Sequence, residues 1–230
     1  MEFKQYASSS KGNMYTVSDG QTILLLEAGV PFNNVKKNLG FTVSAIDGCL
    51  VTHEHMDHAK ACKDLLKAGI ELYTSRGTAD AIGLTATYNL HYVQAEKQFQ
   101  VNTLRVLPLA IEHDCVEPLG FLIQSNLDGD KLLFITDTHY IRYRFKGLTH
   151  IAAECNHSLK LIESLEPNRR KRLMETHMSL ETLLEMLKSN DLSRVKEIHL
   201  LHLSDGNSDE AEFKRAVMRL TGKPVYISPV

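Results

Sequence analysis

Three histidines and one aspartate fall within six residues, between His53 and His58. The segment reads His-Glu-His-Met-Asp-His and directly follows the apolar residues 48–51. Imidazole nitrogens and carboxylate oxygens bind zinc, manganese and iron, and a cation would offset the crowding of four such groups in one turn. A solvated polar turn without metal is the alternative, but such turns carry these residues singly rather than as an HxHxDH array. The spacing therefore predicts a metal site.

A strand and a helix must position this cluster. The apolar run up to Val51 predicts a strand, and apolar residues at helical spacing from Ala61 to Ala68 predict a helix that ends at Gly69. Polar residues recur at the ends of other predicted strands. These are His113, Asp137, Glu154 and His202. We therefore expect several strand ends to supply metal donors.

Further patterns predict the surrounding elements. The runs 14–17 and 22–26 suit a hairpin around a turn at 18–21. A helix is expected from His157 to about Leu165, and Ser179 is expected to cap an amphipathic helix over 180–187. Strands dominate the first half of the chain, and strands and helices alternate in the second. This distribution predicts sheets packed between outer helices.

Composition narrows the class of protein. The chain has 230 residues with 43% hydrophobic content, and neither a repeat nor a linker divides it, so we expect a single domain over 1–230. A net charge of -2 excludes a global basic field, so any anion-binding surface must be local. No apolar run approaches the roughly 20 residues that span a bilayer, and a cytoplasmic protein without membrane association is expected. The four cysteines form no CxxC pair, which argues against disulfides or a thiolate zinc site.

The order HxHxDH, His113, Asp137, His202 resembles the metallo-β-lactamase fold superfamily over nearly the whole chain. The resemblance implies a mixed α/β (α+β) fold, a four-layer αββα sandwich, with two divalent metal ions, Zn or Mn with Fe also possible. It implies one metal on His53, His55 and His113, a second on Asp57, His58 and His202, and Asp137 bridging both. A metal-bridging hydroxide would attack the substrate, and Asp57 could orient it. His199, on the same predicted strand as His202, would point to the opposite face.

Weaker matches point to a branch of this superfamily. Segments 7–13, 177–179 and 202–207 are similar to the YycJ-like exonuclease branch, which is related to the zinc-dependent tRNA-processing endonucleases. This implies phosphodiester cleavage, with His177 as proton donor to the departing oxygen and Glu154 orienting it. The chain departs from relatives in three places: Glu27 replaces a usual Asp, His139 follows the Asp137-Thr138 pair, and Ala153 replaces a His of the endonucleases.

Two basic segments would suit a phosphate backbone. They contribute Arg142, Arg144 and Lys146, interleaved with Tyr143 and Phe145, and then Arg169, Arg170 and Arg172. The aromatic rings could stack on unpaired bases. The alternative is that both segments are solvated surface loops.

These observations predict a dinuclear metal-dependent phosphodiesterase, a nuclease for which DNA is favoured over RNA as the substrate. A hydrolase of a small ester, thioester or lactam at the same metals is one alternative, and a non-catalytic metal-bearing scaffold is another. The sequence leaves open the native metal, the choice between DNA and RNA, exo- or endonuclease action, cleavage polarity and oligomeric state. It also leaves open the role of His139 and whether His157 lines a pocket or caps a helix.

Overall fold

A six-stranded sheet occupies the N-terminal part of the chain. Its strands are β1 (Glu2–Ser9), β2 (Gly12–Ser18), β3 (Ile23–Leu26), β4 (Gly48–Leu50), β5 (Leu72–Thr74) and β6 (Leu90–Tyr92), and they lie in sequence order. The first three strands pair antiparallel, and the pairs from β3 to β6 are parallel. The predicted hairpin is therefore confirmed, because β2 and β3 pair around Asp19 and Gly20.

The computed structural model describes residues 1–228 and divides into two compact units. The first unit comprises Met1–Ala110 and Cys115–Gly129, and the second comprises Ile111–Asp114 and Asp130–Ser228. The single domain expected from the sequence stays a prediction.

The first unit also contains five helical segments and three antiparallel strands. The helical segments are α1 (Phe32–Asn38), a 3-10 turn (Val43–Ala45), α2 (Met56–Ala59), α3 (Cys62–Lys67) and α4 (Arg76–Ala81). The antiparallel strands are β7 (Phe99–Val101), β8 (Leu104–Ala110) and β9 (Leu119–Ser125). Buried side chains such as Leu25, Val35, Cys49, Leu65 and Leu72 form a core cluster that includes residues of the six-stranded sheet and the helices.

Four parallel strands form the centre of the second unit. They are β10 (Lys131–Ile135), β11 (His150–Glu154), β12 (Glu197–Leu201) and β13 (Val225–Ile227), in the spatial order β13-β12-β11-β10. Three helices accompany them: α5 (Pro167–Thr176), α6 (Leu180–Lys188) and α7 (Glu210–Thr221). Because parallel strands end at one edge of their sheet, residues that follow β10, β11 and β12 are brought together there.

Two sequence predictions about this unit have opposite outcomes. The cap of α6 is confirmed, since the Ser179 side chain accepts a hydrogen bond from the Thr182 amide. The helix expected from His157 to about Leu165 is wrong, because residues 159–165 form successive turns. Helix α5 starts later, at Pro167, where the Glu166 carboxylate accepts the amides of two following residues. The basic run 169–172 consequently lies in a helix rather than a loop.

The α/β class predicted from the sequence is confirmed. None of the helices within residues 1–228 is long and apolar enough to cross a membrane.

Candidate metal centre

The predicted histidine cluster lies between β4 and α3 in the first unit. His53 and His55 lie in the loop after β4, while Asp57 and His58 lie in α2. His53 Nε2 is 3.1 Å from His55 Nδ1, and His58 Nε2 is 3.5 Å from Asp57 Oδ2. The rings of His53 and His58 are 4.2 Å apart at their centroids, and both side chains are buried. The structure thus gathers all four side chains of the array.

The Glu27 carboxylate contacts both ends of this cluster, the Thr52 amide just before His53 and the imidazole of His58. Glu27 follows β3 with a left-handed backbone at φ 64°, an unusual conformation for a residue with a side chain. Its Oε2 accepts a hydrogen bond from the Thr52 amide at 3.3 Å, and its Oε1 lies 3.5 Å from His58 Nδ1. The substitution of Glu for the usual Asp therefore keeps a carboxylate beside a candidate ligand, where it can orient the imidazole.

Gly29 and Asn13 hold the other side of the cluster. A Cβ atom at Gly29 would lie 1.6 Å from the Asp57 carbonyl oxygen, so only glycine allows this approach. The Asn13 side-chain amide donates to the Asp57 carbonyl at 3.1 Å and lies 3.0 Å from His58 Nε2. Tyr15 in turn donates to Asn13 Oδ1 at 3.0 Å. The turn-and-strand segment that supplies Asn13 was noted in the sequence, but its contact with the array was not predicted.

In the second unit, three strand ends and the end of α5 bring together Asp137, Glu154, His202 and His177. Each offers one ligand atom, and these atoms lie within 4.8 Å of one another. Asp137 follows β10, Glu154 ends β11 and His202 follows β12. Asp137 and His202 have left-handed backbones at φ 49° and φ 52°. Such conformations cost about 1 to 3 kcal/mol each and concentrate at functional sites, where they aim side chains that a regular strand could not.

The buried Glu154 carboxylate is the centre of this group. Its Oε1 is 2.6 Å from His177 Nδ1, and its Oε2 accepts the amides of Thr138 at 3.0 Å and Met178 at 3.1 Å. Burial alone would raise the pKa of Glu154, but the charge and hydrogen bond of His177 outweigh it and lower that pKa. Burial would likewise lower the pKa of His177, yet Glu154 and Asp137 raise it. The pair therefore favours a carboxylate beside an imidazolium.

His202 is held next to Asp137 by an asparagine. Its Nδ1 lies 3.2 Å from Asp137 Oδ1 and 3.4 Å from Glu154 Oε1. The Asn156 side chain donates to the His202 carbonyl at 2.9 Å, and its amide nitrogen is 3.3 Å from the ring. His199 instead lies 3.1 Å from Glu197, away from this group. Sequence reasoning missed Asn156, which lies 46 residues before its partner.

His113 lies beside His177, with 5.4 Å between ring centroids. Its Nδ1 is 2.9 Å from the Thr176 carbonyl, and since a carbonyl only accepts, Nδ1 carries the proton. Burial lowers the pKa of His113 more than the carboxylates of Asp137 and Glu154 raise it. A neutral ring protonated at Nδ1 has its lone pair on Nε2, the atom that could bind a metal. In the structure Nε2 lies 3.2 Å from Asp114 Oδ1.

The predicted basic residues all lie in the second unit, and two of them pair with acids. Arg142 contacts Glu112, and Arg172 lies 3.2 Å from Asp114. Arg144, Lys146 and Arg169 are exposed, and Arg170 is half-buried. The ring of Phe145 is buried, so Tyr143 is the more accessible of the two interleaved aromatics.

The remaining histidines have separate environments. His91 lies in β6 and pairs with Glu71. His139 Nε2 lies 3.6 Å from Glu112. His157 is buried, burial lowers its pKa, and neither ring nitrogen has a hydrogen-bond partner within residues 1–228. Its side chain does not cap α5 or α6, whose caps are Glu166 and Ser179.

The donor chemistry of both units fits divalent cations. Each unit gathers imidazole nitrogens with carboxylate oxygens, the combination that zinc, manganese and iron accept. Buried carboxylates lie beside His58 in the first unit and His177 and His202 in the second, as outer partners do around metal ligands.

Two groups of curated relatives are similar over most of the chain. The exodeoxyribonuclease YycJ of Bacillus anthracis is 29% identical over 230 residues, covering 91% of this chain and 85% of the relative. The exodeoxyribonuclease WalJ of Streptococcus pneumoniae is 26% identical over 220 residues, covering 88% and 81% respectively. These identities indicate distant homologues that are named as DNA nucleases.

Solved structures support the fold. The metallo-β-lactamase fold protein YhfI from Bacillus subtilis has a TM-score of 0.75 at 14% identity, covering 98% of this chain and 95% of its own. A diphosphatase of the PhnP family has a TM-score of 0.72 at 16% identity, covering 99% and 94%. Human tRNase Z, short form, has a TM-score of 0.67 at 15% identity, covering 99% and 96%. The predicted metallo-β-lactamase fold is confirmed. The sequence model of the Beta-lactamase superfamily domain matches residues 26–200, and the chain therefore belongs to that family.

Proposed function

We propose that this chain is a metal-dependent phosphodiesterase that binds two divalent ions and cleaves DNA. The observation that carries the proposal is the bond of 2.6 Å between Glu154 and His177, beside Asp137 and His202. Hydrolysis of a phosphodiester needs a proton for the departing oxygen, and an imidazolium held by a buried carboxylate can supply it. The two groups of relatives named as exodeoxyribonucleases support DNA as the substrate.

The family resemblance supports a specific ligand assignment. We assign one ion to His53, His55 and His113, the other to Asp57, His58 and His202, and Asp137 to both. Two bound divalent ions supply Lewis acidity, which activates water and stabilises the charge that develops on the attacked phosphate. Zn or Mn is proposed, with Fe also compatible with these ligands.

The protein residues contribute binding, orientation and a proton. His177 is bound to Glu154 through Nδ1, so its Nε2 donates the proton to the departing oxygen. Asp57 orients the attacking water. The basic residues proposed to bind the DNA backbone are Arg142, Arg144, Lys146, Arg169, Arg170 and Arg172. A cytoplasmic location agrees with a DNA substrate and belongs to the same proposal.

One experiment tests the function directly. The metal content of the purified chain is measured, and the zinc- or manganese-loaded protein is assayed on end-labelled single- and double-stranded DNA and RNA. His55→Ala and Asp57→Ala should abolish cleavage while circular dichroism shows an intact fold. His91→Ala is the matched control because it removes an imidazole outside the candidate ligands, and it should retain metal and activity.

Specific outcomes would overturn the proposal. Retained DNA cleavage in His55→Ala or Asp57→Ala would remove the ligand assignment. Turnover of a small ester, thioester or lactam without cleavage of any nucleic acid would replace the phosphodiesterase with the alternative hydrolase. No turnover with either metal on any of these substrates would favour a binding scaffold.

A further inference from the structure

Two acidic side chains flank the proposed metal ligand His113, and each contacts an arginine from a different basic segment. The Glu112 carboxylate contacts the guanidinium of Arg142, which follows β10. Asp114 Oδ2 lies 3.2 Å from the guanidinium of Arg172, which belongs to α5. Neither acid has a part in the function proposed above. The short segment that carries them therefore connects the two basic segments that are proposed to bind the DNA backbone.

Both ion pairs are accessible to a ligand from solvent. The side chains of Arg142 and Arg172 are 77% and 73% exposed, and those of Glu112 and Asp114 are 42% and 39% exposed. Ion pairs at such exposure contribute little to stability, so other anions compete with them readily. A phosphate presents its oxygens to the planar guanidinium in the same way as a carboxylate does. Each arginine can therefore exchange its carboxylate for a phosphate by a change of side-chain conformation alone.

The backbone around the two acids is fixed by contacts that do not involve the arginine side chains. The Glu112 amide donates to Thr138 Oγ1 at 3.3 Å, and His113 Nδ1 donates to the Thr176 carbonyl at 2.9 Å. The Glu112 carboxylate also lies 3.6 Å from His139 Nε2, so it keeps a neighbour when its arginine turns to a phosphate. Exchange at the arginines therefore leaves the peptide that carries His113 in place.

We propose that Glu112 and Asp114 stand in for two backbone phosphates of the substrate strand. Each carboxylate orients its arginine, and a phosphate of the strand then displaces the carboxylate. Because His113 lies between the two acids, the strand is bound at two phosphates close to the ion assigned to His113. The inference rests on the proposed function and names its substrate class, a strand that offers two phosphates at once rather than a small diester with one.

A double-mutant cycle on the full-length, metal-loaded protein tests the first pair. Fluorescence anisotropy measures the binding of a labelled dT hexamer with phosphorothioate linkages, which resist cleavage. Glu112→Gln removes the competing charge and should tighten binding about twofold to fivefold, the worth of an exposed ion pair. In the Arg142→Ala background most of this gain should disappear, because the phosphate and the carboxylate no longer compete for that arginine.

The second pair gives an independent cycle, with Asp114→Asn and Arg172→Ala. Its variants are compared at equal metal occupancy, because Asp114 Oδ1 lies 3.2 Å from His113 Nε2. Glu175→Gln is the matched control, since it makes the same charge change on α5. Glu175 is exposed and pairs with Lys171 at 3.8 Å rather than with either arginine, so its substitution should change the affinity by less.

Additivity distinguishes a strand held at two phosphates from a strand held at one. The double variant of Glu112→Gln and Asp114→Asn should gain roughly the product of the two single gains, about fourfold to 25-fold. A gain no larger than that of the better single variant would overturn the two-phosphate assignment.

The remaining outcomes separate this inference from the proposed function. Weaker binding in Glu112→Gln would overturn the exchange, because the acid would then support its arginine instead of competing for it. An equal gain in Glu175→Gln, or a gain that persists undiminished in the Arg142→Ala background, would overturn it by showing a general effect of charge. These outcomes would leave a DNA-binding protein. If the wild type bound no hexamer, the proposed DNA substrate would fail together with the inference.

Discussion

The substitution Glu154→Gln should impair the proposed proton donor, His177, while leaving the candidate metal ligands unchanged. The change preserves the shape of a fully buried side chain and removes its charge. The amide oxygen can still accept the Thr138 and Met178 amides, so its NH2 group faces His177 Nδ1. The lost charge-assisted bond with His177 is worth about 1.5 to 3 kcal/mol of stability.

The catalytic effect follows from the pKa of His177. Burial lowers that pKa, and Glu154 is the main group that raises it. Without the carboxylate, His177 releases its proton at lower pH, so the alkaline limb of the rate profile should move to lower pH. At neutral pH we expect a loss of roughly 100-fold, within the range of general acid catalysis.

The assay is kcat/KM for DNA cleavage across pH, with metal content measured for each variant. Glu163→Gln is the control, since Glu163 is an exposed acid of the same unit, and it should reproduce the wild-type profile. Wild-type rates with an unshifted alkaline limb in Glu154→Gln would refute the proton-donor role. A loss explained entirely by missing metal would refute it as well.

Three further predictions address the cluster, acid stability and substrate binding. Gly29→Ala should lower the free energy of unfolding in urea by about 1 to 3 kcal/mol and weaken metal binding, because the new Cβ displaces the Asp57 carbonyl. Gly206→Ala is the control: its Cβ meets no atom within 4 Å, and the free energy of unfolding should change by less than about 0.5 kcal/mol. Burial of His199, opposed by Glu197, lowers the pKa of its ring from the usual 6.5. As the pH falls below that value, the unfolded chain takes up a proton at this residue before the folded chain does, so the free energy of unfolding decreases. In His199→Phe the loss of unfolding free energy on acidification should therefore be smaller. Cleavage of single-stranded DNA should fall with salt, to a limiting slope of about −4 for six phosphate contacts, whereas salt-independent kcat/KM would contradict backbone binding.

Local patterns indicated several of the polar side chains that the structure gathers in the candidate groups. The HxHxDH array, Asp137 and His202 are short-range signals, since each begins within three residues of the end of an apolar strand. Helix α6 was also predictable, because Ser179 precedes a regular apolar stripe. Such signals depend only on residues that are neighbours in the sequence, so they can be recognised without knowledge of the fold.

Long-range contacts and irregular segments could not be predicted in this way. Asn13 donates to the Asp57 carbonyl in α2 across 44 residues, and nothing in its own sequence surroundings specifies that partner. Strand β1 went unrecognised because most of its side chains are only half-buried and its polar residues give no clear alternation. A helix was expected after His157, but this segment forms turns in which Leu159 and Leu161 are exposed.

Two buried glutamates, one in each unit, organise the candidate donors by the same physical means. Glu27 and Glu154 each accept backbone amides through Oε2 and turn Oε1 toward an imidazole. The distances differ, 3.5 Å from Glu27 to His58 and 2.6 Å from Glu154 to His177. Because a charge-assisted bond strengthens as it shortens, Glu154 stabilises a proton on its histidine, whereas Glu27 mainly orients one. This difference supports the proposed acid role of His177 and the proposed ligand role of His58.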